Sequence, residues 1–376
     1  MNAESVARDL LSKAHIEIDG RNPWDIKVHN EALYGRVIAR GSLGLGEAYM
    51  DGWFSCERLD EFFARAVGAR LSRQLPMSVN VALLVAKSKL QNRQSRRLAR
   101  EVAKVHYDLP VDVFEATFDT RLTGSCGYWP RAETLDESQD AKLDLICRKL
   151  GVKSGQRVFD IGCGWGAFMG FAAERYGARC TGVTISKEQV EYGRKRYAGL
   201  PVEPRLEDYR DYKGEPFDHV ASMGMFEHVG PKNYRVYFEN ARRLLRQDGL
   251  FVLHTIWSND PGSLDPWIDK YIFPNGALPT IGQIGTAVHG LFVVEDVHNF
   301  GSDYDKTLMA WNEKFQKNRA AVSTLMAKRG HDGERFCRMW EYYLLCCAGG
   351  FRSREISVGQ LVLSPRGVPG GYTSVR

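Results

Sequence analysis

From about residue 106 onward, short apolar runs alternate with segments whose apolar residues recur at helical spacing. The apolar runs predict strands at 157–161, 179–185, 202–207, 217–224 and 249–256. Between the last two, an apolar stripe predicts a helix that Gly249 ends; the stripe consists of Tyr234, Tyr237, Phe238, Ala241, Leu244 and Leu245. This alternation of strand and helix predicts an α/β fold with a mostly parallel sheet.

The first 90 residues differ in pattern and predict a small, mainly helical N-terminal domain. One helix is marked by an apolar face made of Leu59, Phe62, Phe63, Ala66 and Val67. Residues 41–53 contain several glycines and aromatic residues, which we interpret as a loop anchored by bulky side chains. We therefore divide the chain into an N-terminal domain (1–90), a basic linker (91–105) and the α/β domain (106–376). The glycine- and proline-rich tail, 365–372, is expected to be loose.

A basic run at residues 87–104 holds seven basic residues and one acidic residue. A solvated linker helix is the commonest explanation for such a run. The sharper alternative is a cationic surface that docks on anionic phospholipid headgroups. Nucleic acid is a weaker candidate, because no aromatic residues interleave with the charges.

Composition narrows the class of protein. The chain has 376 residues, 44% apolar and 26% charged, with a net charge of +5, which is ordinary for a soluble protein. No stretch has the length and apolarity of a membrane span, and the N-terminus lacks the apolar core of a signal peptide. The eight cysteines include no C-x-x-C pair. We therefore expect reduced thiols, no metal site and a cytoplasmic location.

The most informative segment is RVFDIGCGWG, residues 157–166, in which a predicted strand breaks into three glycines before a predicted helix. Glycines so spaced let a cofactor approach the backbone, because no Cβ intervenes. Gly162, Gly164 and Ala167 also satisfy the looser dinucleotide fingerprint, so NAD is one candidate. That fingerprint expects an acidic residue at the end of the second strand, whereas this strand ends in Thr184 and Ser186. The residues therefore favour S-adenosylmethionine, with NAD or an unliganded turn as alternatives.

Polar residues follow the later predicted strands, where ligands of α/β sheets bind. Asp208 is either an acceptor for an adenine amino group or a solvated turn residue. Glu227 and His228 lie among apolar residues, where a carboxylate needs a partner or a raised pKa. His254, near the end of the next strand, would by itself be interpreted as a structural histidine. Its predicted proximity to Glu227 favours a functional pair.

Four aromatic segments surround these positions: 125–129, 265–276, 298–304 and 340–351. Aromatic stripes usually belong to a core. Their number in and around predicted loops indicates a lid, lined with aromatic residues, that covers a long apolar substrate. The ring faces of this lid could stabilise a transient carbocation.

Taken together, these segments resemble the cyclopropane-fatty-acyl-phospholipid synthase family over nearly the whole chain. The resemblance rests on SLGLGEAYMDGW, HYDL, SCGYW, DIGCGWG, GVTIS, DYRD, MFEHVGPKNY, LLRQDGLFVLHTI, DPWIDKYIFPNG, NFGSDYDKTLMAW and YYLLCCAGGF. It implies a Rossmann-like methyltransferase sheet, mostly parallel and doubly wound, with a small helical N-terminal domain. It also implies a homodimer bound peripherally at the inner face of the cell membrane.

The resemblance implies that a methylene passes from S-adenosylmethionine to the cis double bond of a phospholipid acyl chain. A methyl group would first pass from the sulfonium to the alkene and leave a carbocation, a bound bicarbonate would then remove a proton from the new methyl, and the ring would close. The bicarbonate cage would consist of Cys126, Glu227, His254, Tyr304 and the backbone near Ile256. Cys347 matches a cysteine assigned to the family's active site, and we interpret it as a small packing residue at the lipid pocket.

The cofactor site implied by the resemblance comprises Gly124, Ser125, Asp160, Gly162, Gly164, Gly166, Thr184, Ser186, Gln189, Asp208 and Tyr209. One position departs from the family, because Gly124 stands where a cofactor-contacting tyrosine is usual; Tyr128 could compensate. Two rival functions stay open: a methyltransferase that yields a branched lipid or another product, and a non-catalytic lipid- or cofactor-binding module.

Overall fold

The computed structural model describes residues 3–71 and 109–376. The predicted basic run, the linker 91–105 and the boundary at residue 90 lie outside the described residues. None of the helices within the two described ranges is long and apolar enough to cross a membrane.

The N-terminal part consists mainly of helices. In chain order its elements are α1 (Ala3–Ser12), β1 (Lys27–Val28), α2 (Ala32–Met50), β2 (Phe54–Ser55) and α3 (Leu59–Gly68). The α3 helix follows the predicted apolar face, and it buries Leu59, Phe62 and Phe63. The short strands β1 and β2 pair antiparallel.

The second part alternates strands and helices, as the sequence predicts. Its elements are α4 (Val111–Glu115), α5 (Leu135–Leu150), β3 (Arg157–Ile161), α6 (Ala167–Tyr176), β4 (Arg179–Thr184), α7 (Lys187–Arg196), β5 (Val202–Leu206), β6 (Phe217–Met223), α8 (Tyr234–Leu244), β7 (Leu245–Ser258), α9 (Pro266–Tyr271), α10 (Ile281–Val288), β8 (Val293–Asn299), α11 (Ser302–Lys328), α12 (Gly333–Arg352) and β9 (Ile356–Ser364). Two single-turn 3₁₀ helices, Phe226–His228 and Pro231–Asn233, follow β6.

In the described residues, β3 to β9 form one sheet in the order β5-β4-β3-β6-β7-β9-β8. Strands β3 to β7 are parallel, and β9 pairs antiparallel with both β7 and β8. The predicted mostly parallel α/β sheet is thus confirmed. Because the chain runs from β3 outward to β5 and then returns to place β6 on the other side of β3, the crevice between the carboxyl ends of β3 and β6 is the topological switch point.

Helices cover both faces of this sheet. On one face, α5 and α6 bury Leu143, Ile146 and Phe168 against the strands. On the other face, α8 and α10 contribute Tyr237 and Ile284. A capping box between Thr134 and Glu137 starts α5, and Gly151 in the left-handed conformation ends it.

The N-terminal helices share a hydrophobic core with α11 and α12. The Phe63 ring packs edge-on against Tyr342, with 5.1 Å between ring centroids. The Arg352 guanidinium binds Asp60 at 2.6 Å and Asp305 at 2.9 Å, which ties α3 to both C-terminal helices. Within the described residues, the N-terminal segment is therefore packed onto the α/β part.

Three local predictions are wrong. Residues 41–50 belong to α2, which kinks at Gly41, and Gly46 is required because a Cβ there would lie 2.3 Å from the Trp267 ring. Gly249 lies inside β7; a Cβ there would lie 2.3 Å from the Asp218 carbonyl oxygen, so this glycine permits close strand packing. The tail is held in place, since the Tyr372 hydroxyl donates to the Lys149 carbonyl at 3.1 Å.

Candidate active site

The glycine loop after β3 has the conformation that a ligand cradle requires. Gly162, Gly164 and Gly166 all have positive φ, at 85°, 51° and 88°, which other residues adopt only with strain. A Cβ on Gly162 would lie 2.6 Å from Met225 Cγ, in the segment that follows β6. The loop therefore packs against the other side of the switch-point crevice and leaves backbone exposed to it.

Asp160, the fourth residue of β3, is buried. Neither of its carboxylate oxygens has a hydrogen-bond partner within residues 3–71 and 109–376. Burial raises the pKa of Asp160 to about 7, and the Lys142 ammonium partly opposes that rise. A buried acceptor pair of this kind suits a ligand that brings its own donors.

The polar residues after β4 bond mainly to one another. Thr184 Oγ1 donates to Gln189 Oε1 at 2.7 Å, and the backbone amide of Gln189 donates to Ser186 Oγ at 3.3 Å. Ser186 thereby caps α7. Their contact with a cofactor stays a prediction.

After β5, Asp208 is buried and accepts from its neighbour Arg210, whose Nε lies 2.8 Å away. The Tyr209 ring packs against Tyr237, with 5.5 Å between centroids. Asp208 is therefore an ion-paired residue and not a solvated turn acid. Its proposed contact with adenine, like that of Tyr209, stays a prediction.

Glu227 lies in the 3₁₀ turn after β6 and points across to β7. Its Oε1 accepts the Ile256 amide at 2.7 Å. Its Oε2 is buried without a partner in the described part of the chain. Burial raises the pKa of Glu227 to about 7, against the effect of the Ile256 hydrogen bond. The Ile256 amide, predicted to face an anion, is already engaged in orienting Glu227.

His254 lies within β7, opposite Met223 of β6 and Gln360 of β9. The Gln360 amide nitrogen lies 3.5 Å from His254 Nδ1. In this contact the amide nitrogen would donate and Nδ1 would accept, which would place the ring proton on Nε2. Burial, helped by the charges of Lys142 and Lys149, holds the pKa of His254 well below its ordinary value. His254 is thus a neutral ring whose Nε2 has no partner among the residues described.

Tyr304, at the start of α11, links the remaining predicted residues. Its ring packs against Phe351, with 4.6 Å between centroids. Burial raises the pKa of Tyr304 well above its ordinary value, and the nearby Tyr343, Cys126, Glu227 and Cys347 add to the rise. The structure therefore brings Cys126, Glu227 and Cys347 within electrostatic reach of Tyr304.

The two cysteines of this group differ in surroundings. Cys126 is fully buried and its Sγ lies 3.1 Å from the Gly127 carbonyl oxygen. Burial raises the pKa of Cys126 well above its ordinary value, so it is a neutral thiol. Cys347 is partly buried on α12. Its assignment as a packing residue stays a prediction.

The four aromatic segments pack largely into the core. Trp267 and Tyr342 lie 4.4 Å apart between centroids, and Trp340 and Tyr343 lie 5.4 Å apart. All four residues are buried in the core that includes the N-terminal helices. Tyr128, the suggested substitute for a tyrosine at position 124, packs against His298 and Phe300. Gly124 itself is exposed.

Two polar residues at this site were not predicted from the sequence. Gln360 lies opposite His254, and Lys142 Nζ donates to Ser125 Oγ at 2.8 Å. Gln139 and Lys142 lie on the stripe of α5 that also buries Leu143 and Ile146. Polar residues on the apolar stripe of a helix are the signal that could have identified Lys142.

Comparison with known proteins places these observations in a family. The sequence model of the family described as "Mycolic acid cyclopropane synthetase" matches residues 94–361. A cyclopropane-fatty-acyl-phospholipid synthase of Escherichia coli K12 is 48% identical over 372 residues, covering 99% of this chain and 95% of the relative. The tuberculostearic acid methyltransferase UfaA1 of Mycobacterium tuberculosis is 34% identical over 360 residues, covering 90% of this chain and 82% of the relative.

A solved structure agrees with these sequence matches. The mycolic acid cyclopropane synthase CmaA1, complexed with SAH and CTAB, superposes with a TM-score of 0.64 at 33% identity. The match covers 70% of this chain and 97% of that structure.

Proposed function

The chain belongs to the mycolic acid cyclopropane synthetase family of S-adenosylmethionine-dependent methyltransferases, and we propose that it cyclopropanates unsaturated acyl chains of membrane phospholipids. The relative that is 48% identical carries that substrate class in its name. The observation on which the proposal rests is the arrangement at the sheet edge. Glu227, in the turn after β6, and His254, opposite the last residue of β6, each bury a side-chain atom without a partner in the described residues, Oε2 and Nε2 respectively.

The residues present fit S-adenosylmethionine, which when bound supplies an electrophilic methyl group on its sulfonium. Gly162 and Gly164 would let the cofactor approach the backbone, and Asp160 would accept its hydrogen-bond donors. Ser125 and the polar residues after β4 and β5 would complete the site. The solved structure of the relative CmaA1 is a complex with SAH.

The residues present also fit an oxyanion, and bicarbonate when bound would supply the base for the reaction. His254 Nε2 would donate to the anion, and the Tyr304 hydroxyl is within electrostatic reach of Glu227. Glu227 Oε2 would accept the O–H of the anion, while Oε1 stays on the Ile256 amide. Since this amide fixes Glu227 and the Gln360 amide fixes His254, both side chains are positioned before any ligand arrives.

Neutral surroundings favour the same chemistry. The pKa of Cys126 is raised and that of His254 is lowered by burial, so neither group is charged near neutral pH. A buried carbocation would therefore meet ring faces and neutral dipoles rather than a competing nucleophilic thiolate. Cys347 would line the acyl chain without forming a covalent bond.

The location of the enzyme and the way it binds the membrane are also part of the proposal. We place the enzyme in the cytoplasm, at the inner face of the membrane, as a homodimer that docks on anionic headgroups through the basic run and binds no nucleic acid. Reversing the charges of Arg96, Arg97 and Arg100 to Glu should weaken sedimentation with phosphatidylglycerol vesicles, most at low salt. Phosphatidylcholine vesicles serve as the control. Unchanged binding to the anionic vesicles would return the run to the role of a linker.

The proposed reaction is tested by its product. Purified protein is incubated with vesicles of an unsaturated phospholipid and methyl-labelled S-adenosylmethionine, and the acyl chains are then released. We expect chains that have gained one CH₂ and lost the double bond, with the upfield proton resonances of a cyclopropane ring. A methylene-branched chain of equal mass would instead support the rival methyltransferase activity. Absence of any labelled lipid would support a non-catalytic binding module.

A further inference from the structure

Lys142 is a fully buried lysine next to the proposed cofactor site. It lies on α5 and its side chain is 0% exposed. Its Nζ donates to Ser125 Oγ at 2.8 Å. Burying an ammonium is costly unless charges and hydrogen bonds offset the desolvation, so its position calls for a specific reason.

Two side chains of α5 donate hydrogen bonds to Ser125 and fix its position. Gln139 Nε2 donates to the Ser125 carbonyl at 2.8 Å, and Lys142 donates to its hydroxyl. Ser125 Cβ lies 3.9 Å from the position that a Cβ on Gly224 would take, at the end of β6. Ser125 is therefore fixed at the switch-point crevice, on the side of β6.

The hydrogen bond from Lys142 also sets what Ser125 can do. Because Ser125 Oγ accepts from an ammonium, its own O–H proton is directed to another acceptor. A hydroxyl polarised in this way is a stronger donor. An anionic group of a ligand is the acceptor that this arrangement favours.

The charges around Lys142 are arranged unequally. Asp119, within electrostatic reach of Lys142, is satisfied by the Thr123 and Arg121 amides at 2.6 Å and 2.9 Å. Asp160, also within reach, has no partner for either oxygen in the described residues. Burial lowers the pKa of Lys142 to about 8, against the charges of Asp119 and Asp160. The lysine thus stays mostly protonated at neutral pH.

S-adenosylmethionine carries a carboxylate and an ammonium at one end. Building on the proposed function, we propose that Lys142 is a positioning residue that directs the Ser125 hydroxyl to this carboxylate and supplies the positive charge behind it. Asp160, on β3 across the crevice from Ser125, is then free to accept hydrogen bonds from the ammonium group of the cofactor. Lys142 acts through Ser125 and contacts no reacting atom.

The test compares two ligands by titration calorimetry. S-adenosylhomocysteine carries the amino acid end, and 5′-methylthioadenosine lacks it. In Lys142→Met we expect affinity for S-adenosylhomocysteine to fall by about tenfold or more, the size of one hydrogen bond to a charged group. Affinity for 5′-methylthioadenosine should change less than about twofold. Ser125→Ala should show the same selective loss, and the double variant should be no worse than Lys142→Met.

Lys149→Met is the matched control, because Lys149 is equally buried on the same helix but contacts His298. It should leave both affinities within about twofold. Equal losses for both ligands in Lys142→Met, or losses that multiply in the double variant, would overturn the inference. If Lys142→Met does not fold, Lys142→Gln and Ser125→Ala are titrated instead, and the same selective loss is required of each. If the wild type binds neither ligand, the proposed function itself fails.

Discussion

Replacing Glu227 by glutamine should lower turnover and, above neutral pH, raise the stability of the folded protein. The glutamine keeps the shape of the side chain, and its Oε1 can still accept the Ile256 amide. It removes only the ionisable oxygen that the structure buries without a partner in the described residues. The proposed reaction needs that oxygen as an acceptor, so turnover should fall by about 10²-fold or more.

The effect on stability follows from the pKa. Burial raises the pKa of Glu227 from 4.5 to about 7. In the wild type the folded state therefore binds the proton more tightly than the unfolded state. The stability that this group contributes is fully present below pH 4.5 and is lost as pH rises through 7. The gap between the two values corresponds to about 3 kcal/mol.

Glutamine has no such titration. Glu227→Gln should match the wild type near pH 4.5 and be more stable by up to about 3 kcal/mol at pH 8. Other buried acids, such as Asp160, titrate in both proteins and cancel in the comparison. Guanidinium unfolding at several pH values measures the difference, and Glu203→Gln, at an exposed position of β5, is the control.

Two results would refute the reasoning. A stability difference that does not grow between pH 5 and pH 8 would mean that Glu227 is not a buried, proton-binding carboxyl. Turnover near that of the wild type would remove Glu227 from the mechanism.

Three further predictions concern the same site. Gly162→Ala should weaken binding of S-adenosylhomocysteine by at least about tenfold, because its Cβ would meet Met225 at 2.6 Å; Gly151→Ala, with positive φ but open space, should cost stability alone, and equal affinity losses in both would contradict this. Gly124→Tyr should tighten that binding if it restores the family's contact, whereas Gly124→Ala, which brings only the Cβ to 3.2 Å from the Phe118 ring, should not; equal effects of the two would refute it. Tyr304→Phe keeps the packing on Phe351 and should lower turnover by about tenfold or more without a change in the unfolding midpoint; a destabilised variant with normal turnover would assign Tyr304 to the core.

The parallel half of the fold could be predicted because its signals are local. Four of the five predicted strands match β3, β4, β5 and β6 to within one residue at either end. The fifth, predicted from 249, begins at Leu245 directly after α8, with no turn between them. The glycine at 249 gives the same sequence signal as a helix end, although its role is close packing against Asp218.

The antiparallel half was not predicted, because its strands depend on distant partners. β9 forms its hydrogen bonds with β7 and β8, and β8 contacts β9 alone in the described sheet. The glycines of residues 41–50 gave a loop signal, although Gly46 serves close packing: the ring of Trp267, some 220 residues away, occupies the space that its Cβ would need. Such long-range packing leaves no local periodicity from which it can be recognised.

At the site, the sequence indicated the candidate functional residues but not the hydrogen bonds that orient their side chains. Glu227 and His254 were identified from their strand ends. Their orientation by the Ile256 and Gln360 amides follows only from the register of β6, β7 and β9. The sequence predicted an anion contact for the backbone near Ile256; the Ile256 amide donates to Glu227, and the anion contact stays a prediction.

A crystal structure of the protein with S-adenosylhomocysteine and bicarbonate tests the central claim most directly. We predict an oxyanion within hydrogen-bonding distance, about 3 Å, of Glu227 Oε2, His254 Nε2 and the Tyr304 hydroxyl, with the cofactor sulfur nearby over Gly162 and Gly164. An anion elsewhere, or a cofactor bound away from the glycine loop, would contradict the account.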